Sequence, residues 1–156
     1  VPALEALPFS AGLTLKHRER FERQQREEVL YVLAVRGANI IGHLLLKWDC
    51  PSHPHIRALV PSCSEAEDFV VAPHLRGMGI GSDMLAYAIG QSLERGVHRI
   101  GIAVGIGNPS ARSLYERRGF VLVPRSEHRV SWLARDGSGR QVREYEDCLY
   151  LVKDLV

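Results

Sequence analysis

The sequence predicts a mixed α/β domain built on one sheet with flanking helices. Three observations carry that expectation. Short runs rich in Val, Ile and Leu alternate with helix-length segments, a glycine-rich turn joins one such run to a helix, and two strand-like runs around a tight turn close the chain. At 156 residues the chain has the length for one domain, residues 1–156, around one sizeable core.

Taken in order, Ala3 to Leu7 reads as a first helix. From Lys16 to Glu28 every residue but Phe21 is polar, and helix formers with mixed charges predict an exposed helix with a thin buried stripe. Two strands are expected near 29–36 and 40–48, joined through Gly37-Ala38-Asn39. The stretch 49–63 reads as a loop, because Pro51, Pro54 and Pro61 break any ladder. Residues 64–72 form the next strand. A helix from about Gly79 to Arg95 follows, with Ile80, Met84, Leu85, Ala88, Ile89 and Leu93 on one face. His98 to Val104 is a further strand. Asn108 and Pro109 then open another helix as N-cap and first helical residue, and Gly119 is a left-handed stop. The tail pairs two strand-like segments around Asp136-Gly137-Ser138-Gly139 and ends on Cys148 to Val152.

Composition excludes several classes. No apolar run approaches the about 20 residues that span a bilayer, so no membrane role is expected. The N-terminus lacks the basic and apolar regions of a secretion signal. Lys and Arg (20) mix with nearly as many acids (18), which leaves no basic stripe for nucleic acid. Cys50, Cys63 and Cys148 are an odd number without Cys-x-x-Cys spacing, which argues against a disulfide framework or zinc site and for a cytoplasmic protein. His53 and His55 have no carboxylate or cysteine pattern to complete a metal site, so no metal is expected.

Chemistry concentrates in Arg76-Gly77-Met78-Gly79-Ile80-Gly81-Ser82, between a strand and a helix. Alternate glycines let the backbone approach a ligand closely, and their N–H groups converge at the positive end of the helix. Arg76 adds a forked cation, so the turn suits a pyrophosphate or similar anion. The dinucleotide fingerprint G-x-G-x-x-G does not fit the spacing G-x-G-x-G, and no Lys follows Gly81 as a P-loop requires.

The run Val71 to Gly81 closely resembles motif A of the GNAT-type N-acetyltransferases, whose core is Arg/Gln-x-x-Gly-x-Gly/Ala. Some 25 residues on, the run Asn108 to Phe120 resembles that family's next motif, N-x-x-A-x-x-L-Y-x-x-x-G-F. Tyr150 to Leu155 resembles its last strand, and the likeness covers roughly 29–156. It implies a single, mostly antiparallel sheet and an acetyl-CoA-dependent N-acetyltransferase acting on a small-molecule or peptide amine. A non-catalytic acyl-CoA-binding module and a nucleotide-binding protein are the alternatives. No strand precedes the first helix, so the family's first strand is either absent or replaced, and an open sheet edge would leave the protein a monomer or a homodimer.

The resemblance also assigns roles. Phe69, Val70 and Val71 would carry the pantetheine arm on their backbone, and Arg76 to Ser82 would hold the pyrophosphate. The following strand would splay away near Gly105 and Gly107. Asn108 would reach the pantetheine, and Tyr115 would protonate the departing thiolate. Glu65 and Glu67 share one strand face and are the candidate bases, Glu65 aligning better, while Asp68 points to the opposite face. A backbone N–H, that of Val71, would stabilise the oxyanion. Cys63 and Cys148 have no recognisable His partner, which disfavours a covalent thiol route. Phe9, Phe21, Trp48, Trp132, Glu144 and Glu146 are candidates for the acceptor side.

Overall fold

The computed structural model describes residues 14–49 and 51–155; Ala3 to Leu7, Phe9 and Cys50 lie outside the described residues. Helix α1 (Thr14–Gln25) leads into the antiparallel pair β1 (Val29–Arg36) and β2 (Asn39–Lys47). A short α2 (Pro54–Leu59) precedes β3 (Ser64–Val71), which a single 3-10 turn connects to α3 (Ile80–Glu94). Then come β4 (Arg99–Gly105), α4 (Pro109–Arg117) and the two-residue β5 (Val121–Leu122). The hairpin of β6 (His128–Arg135) and β7 (Gln141–Asp154) ends the described chain.

All seven strands join one sheet in the order β1-β2-β3-β4-β7-β5, with β6 also paired to β7. Only β3 and β4 run parallel; the other pairs are antiparallel, as the sequence implied. Helices α3 and α4 cover one face, where Met84, Leu85, Ala88 and Tyr115 meet Leu44, Leu46, Ile100 and Ile102. Val29, Tyr31, Ile40 and Leu45 form a second cluster. β2 is therefore covered on both faces, which explains its unbroken apolar run Leu44-Leu45-Leu46. Each of these fully buried leucines contributes about 2 kcal/mol of transfer free energy.

Three expectations change. The buried stripe of α1 is polar: His17 and Arg20 are buried, with Phe21 and Gln24 partly so. These side chains bond to the sheet, His17 to the Tyr31 hydroxyl and Gln24 Oε1 accepting from the Tyr31 N–H at 2.6 Å. Within 49–63, Pro54 starts a helix instead of breaking a strand, because a first helical residue needs no N–H donor. On α3 the buried stripe passes through Ser92, whose hydroxyl donates back to the Ala88 carbonyl at 2.8 Å, and Leu93 is left exposed. Among the described residues β1 is the outer strand of the sheet.

Two irregularities position the functional region. Between the pairs Leu45–Glu67 and His43–Val70, β3 carries one residue more than β2, a bulge absorbed at Asp68 with φ +50°. Further, β3 and β4 pair only from Ser64–Ile100 to Ala66–Ile102. Beyond that they separate, so Glu67 to Val71 and Ala103 to Gly105 edge an open fork. The split begins earlier than Gly105, which still pairs with Cys148 on β7.

Candidate active site

A cleft of about 570 Å³ opens over the end of β3 and brings the two motifs together. Phe69 and Val71 form its floor, the turn from Arg76 to Ser82 one wall, and Asn108, Leu114 and Tyr115 the other. Met78 and Val70 are not part of this lining; Val70 faces His43 in the β2 ladder.

The glycine turn has the geometry its sequence calls for. Gly77 and Gly79 adopt φ +79° and +86°, and Ile80 begins α3 immediately afterwards. No atom lies within 4 Å of where a Cβ would sit on either glycine, so backbone conformation, and not crowding, selects glycine there. Arg76 donates from Nε to the Val71 carbonyl at 3.1 Å and has no carboxylate partner among the described residues. It stays available as a cation beside a helix N-terminus.

Asn108 caps α4, its Oδ1 accepting from the Ala111 N–H at 3.2 Å, and also lines the cleft. About two turns later Tyr115 is 6% exposed, between the rings of Phe69 and Phe120. Its hydroxyl has no hydrogen-bond partner among the described residues, and burial pushes its pKa up to about 12. The phenol therefore stays protonated across the physiological range.

Tyr115, Asn108 and Phe69 also line a smaller cavity of about 150 Å³ that fills the fork between β3 and β4. Glu67, Asp68 and Glu146 complete its polar lining. Ala72 donates its N–H to Ile41 on β2 at 2.8 Å, so strand alternation turns the Val71 N–H to the free, fork-side edge.

The two glutamates of β3 share a face, since Lys47 reaches both, Glu65 at 2.9 Å and Glu67 at 3.3 Å. Their settings differ. Glu65 is buried, accepts a further bond from the Ser52 N–H at 3.1 Å, and lines neither cavity. The Glu67 side chain is 39% exposed and stands at the fork. Asp68 is held by Arg20 on α1 at 2.6 Å.

Burial raises both described thiols, Cys63 and Cys148, to about 12. Neither is a thiolate near neutral pH, which removes the activation a thiol nucleophile needs. His53 and His55 are engaged at the start of α2, where His55 donates its N–H to His53 Nδ1 at 3.2 Å. Among the described residues no group of three or more His, Cys, Asp or Glu side chains could hold a metal ion, and no helix is long and apolar enough to cross a membrane. Sequence reasoning missed the pairing of Lys47 with β3. A lysine closing the buried strand β2 opposite two glutamates was its only signal.

A β-α-β unit with a left-handed glycine turn at the helix start, beside a strand fork holding a buried tyrosine, is what this fold and site define. The model of the GNAT acetyltransferase family matches residues 3–120, and the chain belongs to that family. A curated relative, the aminoalkylphosphonate N-acetyltransferase of Salmonella typhimurium, is 29% identical over 92 residues, 59% of this chain. The match spans only 56% of that relative's length. Among solved structures, a ribosomal-protein-alanine N-acetyltransferase from Brucella melitensis overlays with a TM-score of 0.64 at 23% identity, covering 90% of this chain and 78% of its own. A phosphinothricin acetyltransferase from Sinorhizobium meliloti, solved with acetyl-CoA, overlays at 0.63 with 20% identity, covering 90% and 69%.

Proposed function

We propose that this protein is an acetyl-CoA-dependent N-acetyltransferase that joins its two substrates directly, without an acyl-enzyme. The observation that carries the reading is Tyr115, a largely buried, protonated phenol that lines both the cleft of the glycine turn and the fork and has no hydrogen-bond partner among the described residues.

The residues present suit acetyl-CoA. Gly77 to Ser82 supply N–H groups and Arg76, without a carboxylate partner among the described residues, a cation for the pyrophosphate, and the free edge of β3 from Phe69 to Val71 offers backbone groups to the pantetheine amides. Bound there, acetyl-CoA supplies a thioester carbonyl open to an amine. Glu67, at the fork and partly solvated, takes the proton from the acceptor ammonium, directly or through water. The Val71 N–H faces the forming oxyanion. Tyr115 gives its proton to the sulfur as the C–N bond forms and the C–S bond breaks. The proton shed by the new amide nitrogen restores it through solvent. Glu65 is the less suited base, because Lys47 and Ser52 occupy its carboxylate and it stands away from the fork. Two buried free thiols fit a reducing, cytoplasmic setting.

The test is CoA release across a panel of primary amines, with acetyl-CoA binding measured alongside. Tyr115→Phe is expected to lower kcat by about 100-fold while the acetyl-CoA dissociation constant stays within about twofold. Unchanged kcat removes Tyr115 from the acid role. Acetyl-CoA binding without turnover of any amine favours the non-catalytic acyl-CoA module instead.

A further inference from the structure

We infer that Glu146 on β7 is an acceptor-binding residue, and that it selects a cationic primary amine carrying no anionic group. The inference deepens the acyltransferase reading and rests on it only for the identity of the second substrate.

Charge is segregated along the two joined cavities. Arg76 and Arg117 line the large cleft and no acid does. Glu67, Asp68 and Glu146 line the fork, and no Lys, Arg or His does. Two of these acids have their charge met from outside, Glu67 by Lys47 and Asp68 by Arg20. Glu146 forms no ion pair among the described residues; its Oε1 receives only the weak Cys148 thiol at 3.5 Å. It is the uncompensated carboxylate of the fork.

The backbone beneath Glu146 is shaped for it. A Cβ on Gly105 would fall 2.7 Å from its Oε1, so the carboxylate lies over a bare strand position and an added methyl group would displace it. Gly105 has no left-handed backbone that would otherwise call for glycine. A separate observation marks the fork as a ligand site: Tyr115, only 6% exposed, borders it, and its hydroxyl finds no hydrogen-bond partner among the described residues. A ligand here meets a proton donor at depth and an unmatched negative charge on the β7 side. An alkylammonium satisfies the charge of this narrow, largely polar cavity, whereas a phosphonate or carboxylate on the acceptor meets like charge. The specificity named for the aminoalkylphosphonate relative does not carry over to this fork.

Titration calorimetry of a linear butanediamine into the CoA-saturated protein and into the free protein, at low and high salt, decides the matter. Glu146→Gln is expected to weaken diamine binding about fivefold and to flatten its salt dependence, with CoA affinity unchanged. Gly105→Ala, which keeps the charge but displaces it, should weaken the diamine similarly. Aminopropylphosphonate should bind more weakly than the diamine. Wild-type affinity and salt slope in Glu146→Gln overturn the inference, as do tighter phosphonate binding, equal loss of CoA affinity, or no diamine binding in either state. Failure of CoA to bind defeats the acyltransferase reading instead, and the titration of free protein still decides the role of Glu146.

Discussion

Arg20 on α1 meets Asp68 on β3 at 2.6 Å, and this pair ties the first helix to the bulge that shapes the fork. Asp68 holds φ +50°, a conformation that Asp and Asn tolerate better than other non-glycine residues. Its backbone carbonyl also accepts from His43 Nδ1 at 3.0 Å. The bulge is thus fixed from the helix and from the neighbouring strand.

Arg20→Met should destabilise the fold by about 2 kcal/mol in urea unfolding, because it removes the guanidinium 2.6 Å from a largely buried carboxylate. Asp68→Asn keeps an acceptor for Arg20 and suits the backbone, so it should cost less than Asp68→Val, which loses the pair and strains φ. Equal losses for Asn and Val would show that the backbone conformation at 68 contributes nothing.

In the glycine turn, two substitutions are expected to move stability and cofactor affinity differently. Gly79→Ala forces an alanine to φ +86° and should cost about 1–2 kcal/mol, while also weakening CoA binding. Gly81 lies within α3, where a Cβ would meet Phe69 at an ordinary 3.4 Å. Gly81→Ala should therefore leave the fold equally or slightly more stable, by up to about 1 kcal/mol, yet still lower CoA affinity by intruding on the cleft. Thermal unfolding and calorimetry with CoA separate the two. A Gly81→Ala protein with undiminished CoA affinity would show that the ligand's backbone contacts lie elsewhere.

What the sequence made legible was local. Arg76 to Ser82 and Asn108 to Phe120 are short, each with its own turn or cap chemistry, and the structure places both on one cleft. Long-range pairings were not legible. The buried face of α1 was unreadable because His17, Arg20 and Gln24 are polar and their partners Tyr31 and Asp68 lie up to 48 residues away. Strand periodicity put Glu65 and Glu67 on one face but could not rank them. Lys47 reaches both from β2, and Ser52 adds a bond to Glu65 alone. β5 escaped notice because two residues carry no periodicity, and only pairing with Leu151 and Val152 makes them a strand.

Stability should fall on the alkaline side from thiols as well as phenols. Burial raises Cys63 and Cys148 to about 12 in the fold, and Glu146 reinforces the effect at Cys148. A group whose folded pKa is raised keeps its full contribution below its unfolded value, about 8.5 for a thiol, and loses it as pH rises through the folded value. Tyr31 and Tyr115, also at about 12, add to the decline only above about pH 10. In a Cys50→Ser background, the unfolding free energy should drop from about pH 8.5 upward, and the drop below about pH 10 should vanish in Cys63→Ala/Cys148→Ala. The folded Cys50→Ser protein should also react with a disulfide thiol reagent only as fast as it unfolds. Rapid labelling at neutral pH would contradict the burial argument.

Lys47 offers the sharpest separation of structural from catalytic roles on β3. Its side chain is 9% exposed and that of Glu65 8%, so two charges are removed from water together. Burial works against the lysine's charge, but Glu67 and Glu65 outweigh it and hold its pKa above the ordinary lysine value. Lys47→Met leaves Glu65 as an uncompensated buried carboxylate and should cost about 3–5 kcal/mol. Replacing both partners with apolar residues, Lys47→Met/Glu65→Leu, removes that orphan and should recover much of the loss, because a buried pair adds little over well-packed hydrophobes. Glu67 loses a cation in either variant but keeps its place at the fork. The double variant should therefore retain amine-dependent CoA release if Glu67 is the base, and Glu67→Gln in that background should then abolish it. If Lys47→Met/Glu65→Leu folds, binds acetyl-CoA and shows no turnover, the base is Glu65 after all.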